Sequence, residues 1–87
     1  MEKVTFKSFP EYYEKEKSGI KNNIIVFVSE ENSDICKTLC SYFGELIDEL
    51  EVEIINSKTK ESFIRKVRDV SYYNRTYVIT WNDKEVV

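Results

Sequence analysis

The segment from residue 8 to residue 28 constrains the fold more than any other part of the chain. Ser8 is a suitable helix N-cap, and Pro10 lies in the first turn that follows, where proline costs little. Gly19, one of only two glycines, suits the left-handed position that ends a helix. Residues 24–28 are all apolar and mostly β-branched. The segment therefore predicts a short helix, a tight corner and a strand buried on both faces.

A stripe of apolar residues at helical spacing predicts a second helix. This helix begins after a cap at Asn32 or Ser33 and ends at Gly44. The stripe consists of Ile35, Cys36, Leu39, Cys40 and Phe43. The chain has no His, so the four ligands of a usual zinc site are missing. We expect both cysteines to face the core as small apolar side chains; a reactive thiol pair is the alternative.

Four further segments are predicted to be strands because apolar and polar residues alternate along them or because β-branched residues are frequent. They cover residues 3–7, 52–56, 63–72 and 76–81. In the third of these, Val70 follows Val67 by three residues rather than two, which predicts a β-bulge at residue 68 or 69 and a bent strand. The order β-α-β-α-β-β-β predicts one α+β domain over residues 1–87, with a small partial β-barrel.

Charge is divided unevenly along the chain, although the net charge is only −3. Residues 30–53 contain one lysine and eight acidic residues, whereas residues 54–80 contain six basic and two acidic residues. Such a division predicts one surface that attracts an anion and another that repels it.

The size and composition of the chain exclude several classes of protein. Eighty-seven residues can form one modest core but no large internal cavity. No window approaches the roughly 18 apolar residues of a membrane span, and no secretory leader is evident. We therefore expect a soluble, cytoplasmic protein with no membrane contact, no metal and no cofactor. The sequence leaves the oligomeric state open.

The corner between the first helix and the second strand resembles the signature of the ASCH domains of the PUA-like superfamily, in particular their small phage and bacterial members. The family motif is Gly-x-Lys-x-x-(Glu or Thr)-x-Arg, and it aligns here with Gly19, Lys21, Ile24 and Val26. Residues 54–70 also resemble the paired barrel strands of that family. The resemblance implies a PUA-like fold with a cleft beside the motif that binds RNA or a modified nucleoside.

Some members of the family hydrolyse an amide on an acylated cytidine, and the resemblance assigns the motif lysine to that reaction. This chain keeps Lys21 but has Ile24 and Val26 at the two other polar positions. Isoleucine cannot transfer a proton, and valine cannot pair with an oxyanion or a phosphate. The sequence therefore predicts a domain of this type that binds its ligand without catalysis.

Nucleic-acid binding is the first functional hypothesis, because the basic segment is interleaved with aromatic residues. Single-stranded RNA is usually held by Lys and Arg contacts to phosphate and by stacking of bases on aromatic side chains. The candidate contacts are Lys21, Arg65, Arg68, Tyr73 and Arg75.

A protein partner is the alternative hypothesis, in which the domain is a phage-type inhibitor or adaptor of a host protein. Closely spaced carboxylates can imitate a phosphate backbone and compete for a basic groove. The candidate residues are Glu45, Asp48, Glu49, Glu51 and Glu53.

A small amidohydrolase acting on a modified nucleoside is the third hypothesis. It requires an acid to assist Lys21, and the sequence offers Asp83 and Glu85 in the tail.

Overall fold

The computed structural model describes residues 2–82, which form two helices and five strands. In chain order these are β1 (Glu2–Ser8), α1 (Pro10–Ser18), β2 (Asn23–Phe27), α2 (Ser33–Phe43), β3 (Leu50–Asn56), β4 (Ser62–Tyr73) and β5 (Thr76–Trp81). The expected α+β order is confirmed. The strands form one sheet in the order β1-β3-β4-β5-β2, in which only β1 and β3 are parallel neighbours. The sheet curls into a half-barrel.

The core lies on the inner face of this curled sheet, beneath both helices. Alternate residues of β3 are fully buried, and the residues between them are only partly covered. Tyr13 from α1 and Leu39 from α2 close the core from the helical side. This period of two is typical of a sheet that is packed on one face and solvated on the other. Within residues 2–82, neither helix is long and apolar enough to cross a bilayer.

The predicted β-bulge lies in the middle of β4. Val67 pairs with Trp81 and Asp69 with Thr80, so one extra residue of β4 is inserted between these two pairs. The insertion returns Val70 to the inner face, where it is 5% exposed. Bulges bend the strand that carries them, and here the bend accompanies the curl of the sheet.

The start of α1 differs from the prediction. Ser8 is not the N-cap; the cap residue is Phe9, which has extended backbone angles and no side-chain capping bond. Ser8 instead completes β1, where it pairs with Asn56, and its carbonyl accepts a hydrogen bond of 2.9 Å from the N–H of Ser57. Pairing of β1 with β3 therefore extends one residue too far for Ser8 to cap the helix.

The prediction that β2 is buried on both faces is wrong. Of its five residues only Val26 is buried, while Ile25 and Phe27 are 56% and 70% exposed. The physical reason is the sheet order, which places β2 at an edge. Both helices pack on the inner face, so the outward residues of this strand face solvent.

The apolar stripe of α2 is buried only in part. Leu39 is fully buried and Cys36 is partly buried, but Cys40 is exposed and Phe43 is 52% exposed. The expectation that both cysteines face the core is therefore wrong for Cys40; both thiols are free. The contact between α2 and β4 is therefore narrower than the apolar stripe of the helix predicts. Tyr42 adds to this contact, because its hydroxyl donates a hydrogen bond to the Val67 carbonyl at 3.4 Å.

Gly19 ends α1 as predicted, with a φ of 89° in the left-handed region. We expect Gly19→Ala to lower the free energy of unfolding by about 1–2 kcal/mol, because a side chain is strained in this conformation. Gly44→Ala is the matched control, since Gly44 has a φ of −84°. Its new Cβ would lie 3.2 Å from the Cys40 carbonyl oxygen, a tight contact that requires only a small shift. Urea denaturation of both variants measures the difference, and equal losses would contradict the prediction.

Candidate ligand-binding cleft

A cleft of about 490 Å³ lies between the two edges of the half-barrel. The end of β1, the first turns of α1 and the start of β2 form its walls. Its lining consists of Lys7, Ser8, Phe9, Tyr12, Glu16, Lys21, Asn23, Ile24, Ile25 and Ser57. Most of this surface is apolar, and a few polar groups are placed within it. Such a composition is typical of small-molecule and base-binding sites.

An ion pair between Lys21 and Glu16 is the main polar feature of the cleft. Lys21 Nζ lies 3.2 Å from Glu16 Oε2 and donates to the Asn23 carbonyl at 2.7 Å. The left-handed Gly19 turns the chain back, and the Lys21 N–H bonds to the Lys15 carbonyl at 3.0 Å. The helix end therefore fixes the backbone of the lysine that the sequence singles out.

The carboxylate of Glu16 is the unexpected member of this pair. Its side chain is only 2% exposed, and its second oxygen, Oε1, has no hydrogen-bond partner among the described residues. A buried carboxylate oxygen that accepts no hydrogen bond is costly. Glu16, which lines the cleft, therefore carries one carboxylate oxygen without a hydrogen-bond partner.

Two aromatic side chains lie at the opening of the cleft. Phe9 is 67% exposed and Tyr12 is 46% exposed, although both are large and mainly apolar. Their ring centroids lie 6.5 Å apart at a tilt of 47°. Exposed aromatic faces beside a cleft can stack on a planar ligand.

Arg65, predicted to contact nucleic acid, is buried between α1 and β4. It is 3% exposed, and its guanidinium donates to the carbonyls of Lys17 at 3.1 Å and Ile64 at 3.0 Å. The same group lies over the ring of Phe63, at 4.6 Å from the centroid. Tyr13 packs against that ring, and burial raises the pKa of its phenol above the usual value. We therefore correct the role of Arg65: it stabilises the C-terminal end of α1 and is not available to phosphate.

The other predicted nucleic-acid contacts lie away from Lys21. Arg68 is exposed beside the β-bulge and lines a second cleft. Tyr73, 83% exposed, and Arg75 lie at the turn between β4 and β5, where Asn74 and Arg75 have positive φ angles. Because the basic residues belong to different surfaces, the structure does not bring them together with Lys21.

The second cleft, of about 400 Å³, lies between the end of α2 and the bulge of β4. Two residues of the predicted acidic surface, Glu45 and Asp48, line it together with Arg68 and Asp69. The positive charge of Arg68 lies among these three carboxylates, so this cleft has a mixed polar character.

The remaining acidic candidates lie near basic residues. Glu49 lies 3.7 Å from Lys66, and Glu51 is the register partner of the same lysine between β3 and β4. Glu53 lies 3.1 Å from Lys3 Nζ and accepts a bond from Ser62; these two bonds hold the pKa of its carboxyl below the usual range. The five acids are therefore divided between the lining of the second cleft and positions beside basic residues of the sheet.

Glu16 is the functional candidate that the sequence-based reasoning missed. It stands three residues after Tyr13, so both residues lie on the face of α1 that is buried. A glutamate on the buried face of a short helix is unusual, and this position could have drawn attention to it. Asp83 and Glu85, the acids proposed to assist Lys21, lie outside the described residues.

No protein-family model, curated protein or solved structure matches this chain. Within residues 2–82, no three Cys, Asp or Glu side chains are grouped so that they could hold a metal ion.

Proposed function

We propose that this protein is a non-catalytic, ASCH-like domain that binds single-stranded RNA and holds one unpaired base in the cleft between α1 and β2. The observation that carries the proposal is the combination of exposed aromatic rings at Phe9 and Tyr12 with the Lys21–Glu16 pair inside the cleft. Unpaired bases are commonly stacked on aromatic side chains and hydrogen-bonded along their edges. We place this activity in the cytoplasm.

Two further lysines support binding of the phosphates beside that base. Lys7 lines the cleft directly. Lys60 Nζ donates to the Ser57 carbonyl at 2.9 Å, and Ser57 also lines the cleft. We therefore assign the phosphates beside the base to the ammonium groups of Lys7 and Lys60.

The lining also supports binding without catalysis by the family motif. Ile24 lines the cleft and Val26 is 5% exposed in the core, so neither motif position offers a group that can transfer a proton. Lys21 is held by Glu16 and by the Asn23 carbonyl. Both interactions orient the ammonium group as a hydrogen-bond donor.

We expect the double variant Lys7→Gln/Lys60→Gln to bind a short single-stranded RNA roughly tenfold more weakly than the unaltered protein at low salt. Each lysine that contacts phosphate contributes to affinity through counterion release, so the slope of log Kd against log salt should also fall by roughly one to two units. Fluorescence anisotropy at several salt concentrations measures both quantities.

Arg68→Gln/Arg75→Gln is the matched control, since it also removes two positive charges, from residues that lie away from the cleft. It should change the affinity much less than Lys7→Gln/Lys60→Gln does. An RNA that binds the two variants equally well would contradict the proposed site, and absence of binding by the unaltered protein would contradict the proposed function.

Hydrolysis of an amide on a modified nucleoside is the second candidate, and one observation favours it. Glu16 lies 3.2 Å from Lys21 and can supply the acid that this reaction requires. The test is turnover of an acylated cytidine by the unaltered protein and by Lys21→Ala. Turnover that depends on Lys21 would favour the hydrolase, whereas equal turnover by the two proteins would exclude this site as its source.

A further inference from the structure

We propose that Glu16 selects the base in the cleft, and that it favours bases with an exocyclic amino group over uracil. This inference rests on the proposed function and adds the chemical class of the ligand. Glu16 lines the cleft, and its Oε1 lies beneath the cleft surface without a partner among residues 2–82. In this proposal the carboxylate rotates to bring Oε1 to the base, where it is the recognising atom.

The two oxygens of Glu16 are not equivalent. Oε2 accepts from Lys21 Nζ at 3.2 Å, whereas Oε1 accepts from no group of the described chain. A carboxylate oxygen can only accept, so a ligand must bring an N–H or O–H donor to satisfy it. A ligand without such a donor would leave the oxygen unpaired, which is unfavourable.

Lys21 indicates which kind of ligand atom should lie beside the donor that satisfies Oε1. Its ammonium group has three N–H bonds, of which two point to Glu16 Oε2 and the Asn23 carbonyl. The remaining N–H can donate to a ring nitrogen or carbonyl oxygen of the ligand. The Lys21–Glu16 pair therefore fits a ligand edge on which a hydrogen-bond donor lies next to a hydrogen-bond acceptor.

The free edge of β2 offers additional backbone groups to the same ligand. Trp81 N–H donates to the Asn22 carbonyl and Val28 N–H to the Arg75 carbonyl, both at 3.0 Å. Because antiparallel pairs alternate, these two bonds orient the N–H and C=O of Ile25 away from β5. Ile25 lines the cleft, so its backbone donor and acceptor border the space in which the base would lie.

The surroundings of the donor distinguish the bases. In uracil the ring N–H lies between two carbonyl oxygens, so one of them would be brought close to the negatively charged Glu16 carboxylate. In adenine and cytosine the donor is an exocyclic amino group beside a ring-nitrogen acceptor, which can accept from Lys21. Carboxylates accept from exocyclic amino groups in the same way in base-specific contacts, each worth about 1–3 kcal/mol of discrimination.

The test compares fluorescence anisotropy with hexamers of adenosine, cytidine and uridine at one salt concentration. We expect the unaltered protein to bind the first two roughly tenfold more tightly than the third. Glu16→Gln should reduce this preference to within roughly twofold, because a glutamine amide can also donate to a carbonyl oxygen. Tyr12→Leu is the control; it should weaken binding of all three hexamers and leave their ratio unchanged.

A chemical probe keeps the test decisive if Glu16→Gln does not fold. Hexamers of N6-methyladenosine retain one N–H on the amino group, whereas those of N6,N6-dimethyladenosine retain none. The unaltered protein should bind the first nearly as well as adenosine and the second roughly tenfold more weakly. Equal binding of these two, or of adenosine and uridine, would overturn the inference while leaving RNA binding intact. If no hexamer binds, the proposed function itself fails.

Discussion

Replacing Lys21 by methionine is expected to lower the free energy of unfolding by about 2 kcal/mol and to weaken RNA binding roughly tenfold. The variant keeps the length of the side chain but leaves Glu16 buried without its cation. Loss of one partner from a fully buried pair costs roughly 3–5 kcal/mol. The expected loss is smaller here because the Lys21 side chain is 36% exposed, so water can replace part of the interaction.

A second variant separates the two effects of Lys21. In Lys21→Met/Glu16→Leu no buried charge is left unpaired, so we expect most of the lost stability to return while RNA binding stays weak. Urea denaturation and anisotropy of the same preparations measure both quantities. Full recovery of binding in the double variant would show that the pair is a stabilising contact and has no part in the site. A stable Lys21→Met variant would show that solvent reaches Glu16 more freely than the structure indicates.

The parts of the fold that the sequence predicts are those with strong local causes. Gly19 is needed where a helix ends in a left-handed residue, and three-residue spacing between Val67 and Val70 requires a bulge in a continuous strand. The order of the elements follows from the periodicity of their apolar residues. These features depend on residues close together in the chain, which is why one sequence suffices to find them.

The features that the sequence does not predict depend on which elements become neighbours. The apolar composition of β2 suggests a central strand, yet the sheet order places it at an edge and exposes Ile25. Arg65 belongs to the basic segment of the sequence, but the position of α1 over β4 buries it against Phe63. Glu16 becomes a candidate site residue only because the turn at Gly19 returns Lys21 to it.

Trp81→Ala is expected to produce the largest loss of stability in the described part of the chain, about 3–5 kcal/mol. Trp81 is fully buried at the end of β5 and pairs with Val67 next to the bulge. Truncation would leave a cavity at the place where the sheet bends, and neighbouring strands cannot collapse into it without losing their register. A domain of this size has a total stability of roughly 5–10 kcal/mol, so the variant should lose about a third or more of it.

Trp81→Phe should cost much less, about 1 kcal/mol, although it also removes buried apolar surface. The indole Nε1–H of Trp81 is buried without a hydrogen-bond partner among the described residues. Its removal eliminates a desolvated donor that costs about 1–3 kcal/mol, which offsets much of the lost packing. Thermal unfolding of the two variants provides the measurement. Equal losses in Trp81→Phe and Trp81→Ala would mean that the indole donor is satisfied in solution and that its hydrogen bond, rather than its volume, supports the bulge.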